Sequence, residues 1–531
     1  MTSLPVTWLT WGGAILPILL LLTLMVGWRW SAVSASWAGM IAAFLIAVLV
    51  FDAGAAVLLV ETGKGVWNSV PIIAVVVPAI LLYEISRQAD VFAVMQREFA
   101  RLFPDRLLRV LAVGWCFSSF LQGPTGFGVP IAVTAPIMLA IGVRPLWAVV
   151  VPLVGHAWGN TFGTLALAWD ALVQQTSLGV NPVLFHTTAL WTAVFTGMVC
   201  LVSGAAVCWF HSGLKGVRHG LPALAVLGLI MVGGQVLLSR PAPTLAEIVP
   251  TTLAMGAVFL IARLPRYRRG PGPESDMFAD TAEQTADAPD LTLHGVFLPY
   301  YVLVAVSVLV LLTPPLRQTL GAWSMSFAFP QTATGLGFVN TAQPAYGPVA
   351  WLIHSSFFLL ITCAVAYGFF SAKGLIRPGS IGLILANSLK KSLPSSLSVL
   401  LLVIMAKVMT GSGQVEVLAR GAAGVTGQYY AFLAPFIGAL GAFVASSNTS
   451  SNILFGQFQE NMARLTDSAP GIFLAAQTGG AADGCMFSPS KVLLGTTTTG
   501  IIGAEGRVIR KLIGLCVAFS LLMGIVAWVF A

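Results

Sequence analysis

Charge is the scarcest feature of this chain. Of its 531 residues, 9% are Asp, Glu, Lys or Arg and 57% are hydrophobic. Soluble domains carry about 25% charged residues, so a soluble fold is excluded. Cysteine is also scarce: Cys116, Cys200, Cys208, Cys363, Cys485 and Cys516 stand singly in apolar stretches. Without CxxC or Cys/His spacing, neither a disulfide framework nor a metal site is expected. The thiols should pack as small apolar side chains. Enzyme signatures are missing too. No HExxH or GxSxG motif occurs, and the glycine-rich 123–128 reads GPTGFG without a following GKS or GKT, which removes a nucleotide loop. A channel would show one filter repeated across subunits rather than two unlike interruptions within a chain. The run MTSLPVTW carries no lipidation motif. The first apolar run, 15–26, lacks a basic flank and a small-residue cleavage site, and reads as a retained helix.

What is abundant is long apolar sequence. Fifteen windows, from 11–28 to 511–530, approach the roughly 20 residues needed to cross a bilayer as helix. They are too long and continuous for barrel strands. The expected fold is therefore an all-α polytopic membrane protein with about 12–14 transmembrane helices, some windows being half-spans. The net charge of +8 marks the cytoplasmic side rather than a nucleic-acid partner. Arg87, Arg97, Arg101, Arg106 and Arg109 fill one connection, Arg263, Arg266, Arg268 and Arg269 open another, and Arg507, Arg510 and Lys511 precede the last helix. Both termini are expected outside. Residues 265–294, rich in Pro, Gly, Asp and Glu, read as a flexible cytoplasmic linker. The chain then divides into an N-terminal repeat (1–238), a linking transmembrane helix (239–264), the linker, and a C-terminal repeat (295–531).

The halves echo each other. In the second, FVASSNTSSNILFGQFQ (443–459) interrupts an apolar run with Ser446, Ser447, Asn448, Thr449, Ser450, Ser451 and Asn452. In the first, FLQGPTGFGVPIAV (120–133) does so with Gln122, Gly123, Pro124, Thr125, Gly126, Gly128 and Pro130. Each half shows a second interruption about 30 residues later, VGHAWGNTFGT (154–164) and AQTGGAADGCMFSPSK (476–491). Paired interruptions in corresponding positions point to a transporter site. Backbone groups freed by a helix break are tolerated in a bilayer only where they line a cavity or are buried in protein. Helix N-termini there offer free N–H groups and a positive dipole end, which suits a carboxylate. Uncharged Ser, Thr and Asn let the empty site move without an unpaired charge in hydrocarbon.

At these residues the chain resembles the lactate permease family of bacterial carboxylate transporters. GFGVPIAV (126–133), TSSNILFGQFQ (449–459), GGAADGCMFSP (479–489) and GIIGAEGRVIRK (500–511) carry the resemblance. It implies a multi-pass protein of the bacterial inner membrane that takes up L-lactate, D-lactate or glycolate by proton symport, with no cofactor. More distantly, SNT at 447–449 is similar to the hairpin tips of divalent anion/sodium symporters. That similarity implies two inverted repeats, each with a re-entrant hairpin and a broken helix, an elevator mechanism and, by analogy, a homodimer. Two charges usual in the lactate permeases are absent, at Asn448 and Cys485, although Asp483 and Lys491 stand close to the latter. Sodium coupling, or another small organic anion such as a sulfonated acid, is therefore the alternative.

The expected substrate-binding residues are Gln122, Gly123, Thr125, Gly126, Phe127 and Gly128 in the first tip, and Asn448, Thr449, Ser450, Ser451 and Asn452 in the second, with Gln477. Phe127, Trp158, Phe162 and Phe455 are expected to wall the site. His156 is expected to couple protons because imidazole changes charge near neutral pH. Asp483 is its rival, and Lys407 is expected to pair with an acid or draw in the anion. Asp170, Glu247, His186 and His354 have no motif around them and are assigned to packing.

Overall fold

The computed structural model describes the chain except for residues 1–3, 27, 29, 127, 269, 271, 279–288 and 502. Among the described residues, nine helices are long and apolar enough to cross a membrane. Their outer faces carry large apolar side chains such as Leu229 (75% exposed) and Leu237 (74% exposed). Lipid is the solvent that such faces require.

The longest helix, Pro182–Leu238, is two arms. Ser212 and Gly213 leave helical geometry, the latter at φ +59°, and the chain folds back. A Cβ on Gly197 would stand 2.7 Å from Val232 Cγ1, and one on Gly228 would stand 2.6 Å from Leu201 Cδ2. Small residues allow this close antiparallel packing where lipid gives no hydrophobic drive between helices. The arms are the spans expected at 186–209 and 221–238.

Two helices are much longer than a bilayer needs: Ala55–Gln88, with 34 residues, and Ile381–Gly411, with 31. They pack antiparallel. Gly65 lies against the Ile404 backbone, Gly411 against Glu61, and Glu84 pairs with Lys391. Each is followed by the same order of elements. A short amphipathic helix comes first, Val91–Leu102 or Gln414–Thr426. A helical hairpin, a broken helix and a further long helix follow.

The first hairpin rises through 106–122 and returns as Val129–Ala140, with 123–126 and 128 in the turn between them. Its rising arm contains a π-helical stretch, Leu111–Phe117. There Gly114 O would meet a Cβ on Gly155 at 1.9 Å, so only glycine fits. The second hairpin is Tyr430–Ala445 and Asn448–Leu465. Its turn is shorter than the polar run suggested. Only Ser446, at φ +55°, and Ser447 lie outside helix. Ser447 Oγ caps the returning helix by accepting from Ser450 N–H at 3.3 Å. Asn448 to Asn452 are therefore the first turn of that helix.

The first broken helix runs Pro145–Gly155, leaves α-geometry through 156–162, and resumes as Gly163–Gln175. Within the resumed part, Thr164, Leu165 and Ala166 all have positive φ, at 51°, 54° and 65°. Left-handed backbone costs an L-residue about 1–2 kcal/mol, so this crossover must be held from outside. Leu165 N–H donates to Gly123 O at 2.8 Å and Ser355 Oγ–H donates to Leu165 O at 3.1 Å. The second broken helix, Pro470–Met486 then Pro489–Thr498, changes direction at Phe487–Ser488.

One element has no counterpart in the sequence reading. Between the helices Leu293–Leu312 and Ser355–Ala372, strands Ser324–Phe329 and Gln343–Ala350 pair antiparallel, with Thr332–Ala333 and Val339–Asn340 pairing at their tip. This β insert ties itself to the two long helices. Trp67 Nε1–H donates to Gly347 O at 2.8 Å and Asn340 Nδ2–H donates to Gly411 O at 2.8 Å.

Candidate functional site

The two hairpin turns and the two helix breaks converge on one cavity of about 340 Å³. Gln122 and Gly128 reach it from the first hairpin, and Asn160, Gly163 and Thr164 from the first broken helix. Ser446 to Ser450 reach it from the second hairpin, and Cys485 and Lys491 from the second break. The long helix Ile381–Gly411 closes one wall through Pro394, Ser395, Ser398 and Val399.

The polar groups around the cavity bind each other across the halves. Asn448 Nδ2–H donates to Thr161 Oγ1 at 3.0 Å and to Thr478 O at 3.2 Å. Asn452 Nδ2–H donates to Ala168 O at 2.9 Å and to Thr478 Oγ1 at 2.8 Å. Thr161 Oγ1–H donates to Thr478 O at 3.1 Å. Asn160 Nδ2–H donates to Ala482 O at 3.2 Å, and its Oδ1 accepts from Lys491 Nζ–H at 2.9 Å. Lys491 is 7% exposed and is the one charged side chain lining the cavity among the described residues. Its ammonium holds one neutral partner there, leaving donors for an anion. The capped first turn at Asn448–Ser450 adds the positive end of a helix dipole. The cavity thus sets one ammonium and one helix N-terminus among neutral donors and acceptors.

The expected site residues divide into three groups. Gln122, Gly128, Asn448, Thr449 and Ser450 line the cavity. Gly123, Thr125, Gly126, Ser451, Asn452 and Gln477 stand behind it as supports. Gly126 leaves no room for a side chain: its Cβ would stand 2.0 Å from Thr164 Oγ1. Thr125 Oγ1–H donates back to Leu121 O at 2.5 Å. Gln477 Nε2–H donates to Ser451 Oγ at 3.0 Å, and Ser451 Oγ–H to Gly438 O at 2.9 Å, which ties the second hairpin to the second broken helix. Phe127 lies outside the described residues. Trp158, Phe162 and Phe455 are buried but are not among the lining residues.

The three expected coupling residues stand apart from the lining. His156 is fully buried, with Nδ1 2.6 Å from Pro152 O and Nε2 without a partner among the described residues. Asp483 is fully buried and neither carboxylate oxygen has a hydrogen-bond partner among the described residues. Lys407 lies eight residues beyond Val399 on the same helix, about 12 Å along its axis. Its Nζ–H donates to Gln174 O at 3.2 Å, beside the Tyr346 ring of the β insert.

Lys491, Asn160, Gly163 and Thr164 stand closer to the cavity than their sequence signal suggested. Glu247, assigned to packing, stands beside the first break. Its carboxylate is fully buried, has no hydrogen-bond partner among the described residues, and lies against Gly159 in the first break, where a Cβ would come within 2.1 Å of Oε1. Nothing in the local sequence TLAEIVP could have placed it there.

Comparison with known proteins decides the family. The family model for L-lactate permease matches residues 13–531. The chain belongs to the L-lactate permease family. It is a permease rather than an enzyme, and a multi-pass bacterial membrane protein. Curated relatives span nearly the whole length of this permease. The L-lactate permease of Halalkalibacterium halodurans is 26% identical over 97% of this chain and 95% of its own. The glycolate permease GlcA of Escherichia coli is 25% identical over 97% and 94%. Among solved structures, the YdaH transporter of Alcanivorax borkumensis aligns with 87% of this permease at 15% identity, with a TM-score of 0.44.

Proposed function

We propose that this permease, a carrier of small organic acids, imports 2-hydroxymonocarboxylates such as L-lactate, D-lactate and glycolate by proton symport. The observation that carries the reading is the lone ammonium of Lys491 in a cavity otherwise lined by neutral donors and a helix N-terminus. The carboxylate would sit against Lys491 and the N–H groups of Asn448–Ser450, and the 2-hydroxyl among Thr164, Gln122 and Thr449. One lysine matches one carboxylate. A dicarboxylate would leave a second charge without a counterpart. The relatives' names agree, being lactate and glycolate permeases.

Coupling needs a group that gains and loses a proton as the cavity changes access. Among the described residues, the buried carboxyls of Asp483 and Glu247 have no hydrogen-bond partner, and neither has His156 Nε2. We assign the proton to this set, with Asp483 first because its neighbours Ala482 and Cys485 touch the anion site. The repeated order of long helix, amphipathic helix, hairpin and broken helix supports two inverted repeats with re-entrant hairpins. The hairpins and broken helices would move as an elevator past Ala55–Gln88 and Ile381–Gly411. Under the same reading both termini face outside and the assembly is a homodimer.

The deciding experiment is uptake of labelled L-lactate into proteoliposomes under an inward proton gradient and, separately, an inward sodium gradient. Proton-driven accumulation abolished by a protonophore is the expected result. Accumulation that requires sodium would overturn proton symport. Absence of accumulation with either ion would overturn the substrate assignment, and small sulfonated acids would be assayed next.

A further inference from the structure

A second and larger cleft, of about 830 Å³, lies at the basic end of the bundle, away from the anion cavity. Its inner wall is apolar. Phe120 comes from the rising arm of the first hairpin, Met255 and Phe259 from the helix Ile248–Ile261, and Phe297 from Leu293–Leu312. Its rim is basic, with Arg263, Arg268 and His294, and no acidic residue lines it among the described residues. Both arginines are exposed. Neither guanidinium has a hydrogen-bond or ion-pair partner among the described residues. Beside the rim, Leu260, Leu264 and Tyr301 are 63%, 45% and 42% exposed. The cleft therefore opens on the greasy outer surface of the bundle.

We propose that this cleft binds one anionic phospholipid of the cytoplasmic leaflet, its phosphate between Arg263 and Arg268 and an acyl chain along Phe120, Phe259 and Phe297. Guanidinium groups match phosphate oxygens in geometry as well as charge. Basic pockets between transmembrane helices on the cytoplasmic side are suited to anionic head groups. A free phosphate would satisfy the arginines and leave the apolar wall uncovered. A zwitterionic lipid would cover the wall but bring its own cation to the arginines. An anionic lipid satisfies both. The site bears on transport through Phe120, which packs edge-on against Tyr300 at 4.9 Å and Phe297 at 5.3 Å. Two residues further on, Gln122 lines the anion cavity. A bound chain would thus brace the arm that carries the first hairpin turn.

Native mass spectrometry of the full-length protein in mild detergent, with phosphatidylglycerol or phosphatidylcholine added, tests the site. One tightly held phosphatidylglycerol, preferred over phosphatidylcholine, is expected. R263Q/R268Q should weaken it about thirtyfold, from two surface cations, with an unchanged melting temperature in lipid-free detergent. Met255→Trp, which fills the apolar part, should weaken it independently of charge. Equal retention of the two lipids, or unchanged binding in R263Q/R268Q, would overturn the proposal. So would displacement of the lipid by millimolar inorganic phosphate, which would make the site a plain anion site. Lipid binding that appears only after deletion of residues 279–288 would assign the cleft to the chain's own acidic linker.

Discussion

Replacing Lys491 with methionine isolates the electrostatic part of the anion site. Methionine keeps the length of the side chain and removes the ammonium. Among the described residues Lys491 Nζ holds one hydrogen bond, to Asn160 Oδ1 at 2.9 Å, and the side chain is 7% exposed. Removing that bond costs about 1 kcal/mol of stability, offset by no longer burying a cation without an anion. The melting temperature should therefore hardly move. Substrate binding should change much more, because a desolvated carboxylate would lose its counter-charge. A charge-assisted hydrogen bond contributes about 1.5–3 kcal/mol, and a buried charge left unpaired costs about 3–5 kcal/mol. Taking 2–4 kcal/mol as the loss, KM for L-lactate should rise about thirtyfold to nearly a thousandfold. Arginine should restore part of this, since it keeps charge but exceeds the space beside Asn160. The assay is initial uptake in proteoliposomes over a range of lactate concentrations, alongside a thermal melt of the same preparation. A K491M variant with KM within threefold of the parent and an unchanged melt would refute the assignment of Lys491 to the carboxylate.

Three further outcomes follow from the same geometry. Asp483→Asn should abolish accumulation driven by a proton gradient while leaving lactate counterflow, measured in the same vesicles. Glu247→Gln provides the matched comparison, and gradient-driven accumulation that survives both substitutions would exclude the two acids as proton carriers. Gly126→Ala places a methyl 2.0 Å from Thr164 Oγ1 at a φ of +59°. Left-handed strain and overpacking together should cost about 2–4 kcal/mol, read as a lower melting temperature that Thr164→Ala partly restores. Ala166→Gly relieves a left-handed residue at φ +65° and should raise stability by up to about 1 kcal/mol. A fall instead would mean that the crossover does not adopt this backbone.

Much of this architecture was legible because it is local. A continuous apolar window of about 20 residues, too long for a barrel strand, must become a helix in a bilayer, which satisfies its backbone within the segment. A polar, uncharged run inside such a window must be a break or a cap, and both hairpin turns and both helix breaks fall where the composition changes. The seven polar residues at 446–452 divide between two roles: Ser447 caps the returning helix at once, and five of the seven become its first turn. The long helices Ala55–Gln88 and Ile381–Gly411 were read as shorter spans. Glu61, Lys64 and Lys390 interrupt their apolar pattern; Glu61 and Lys64 pair one turn apart at 2.7 Å on the same helix, and the pairing of Glu84 with Lys391 joins the two helices.

What the sequence determined by itself is the solvent, the apolar helices and the presence of two interrupted segments in each half. These depend on neighbours within a turn or two of helix. What only the tertiary structure decided is which polar groups share a space. Lys491 meets Asn160 across 331 residues of chain, and Asn448 meets Thr161 across 287. Glu247 reaches Gly159 from a stretch with no motif. Contacts of that separation leave no periodicity or spacing behind. They come from the packing of one half against the other, which brings four helix ends, each with unsatisfied backbone groups, to the one place where those groups can be used.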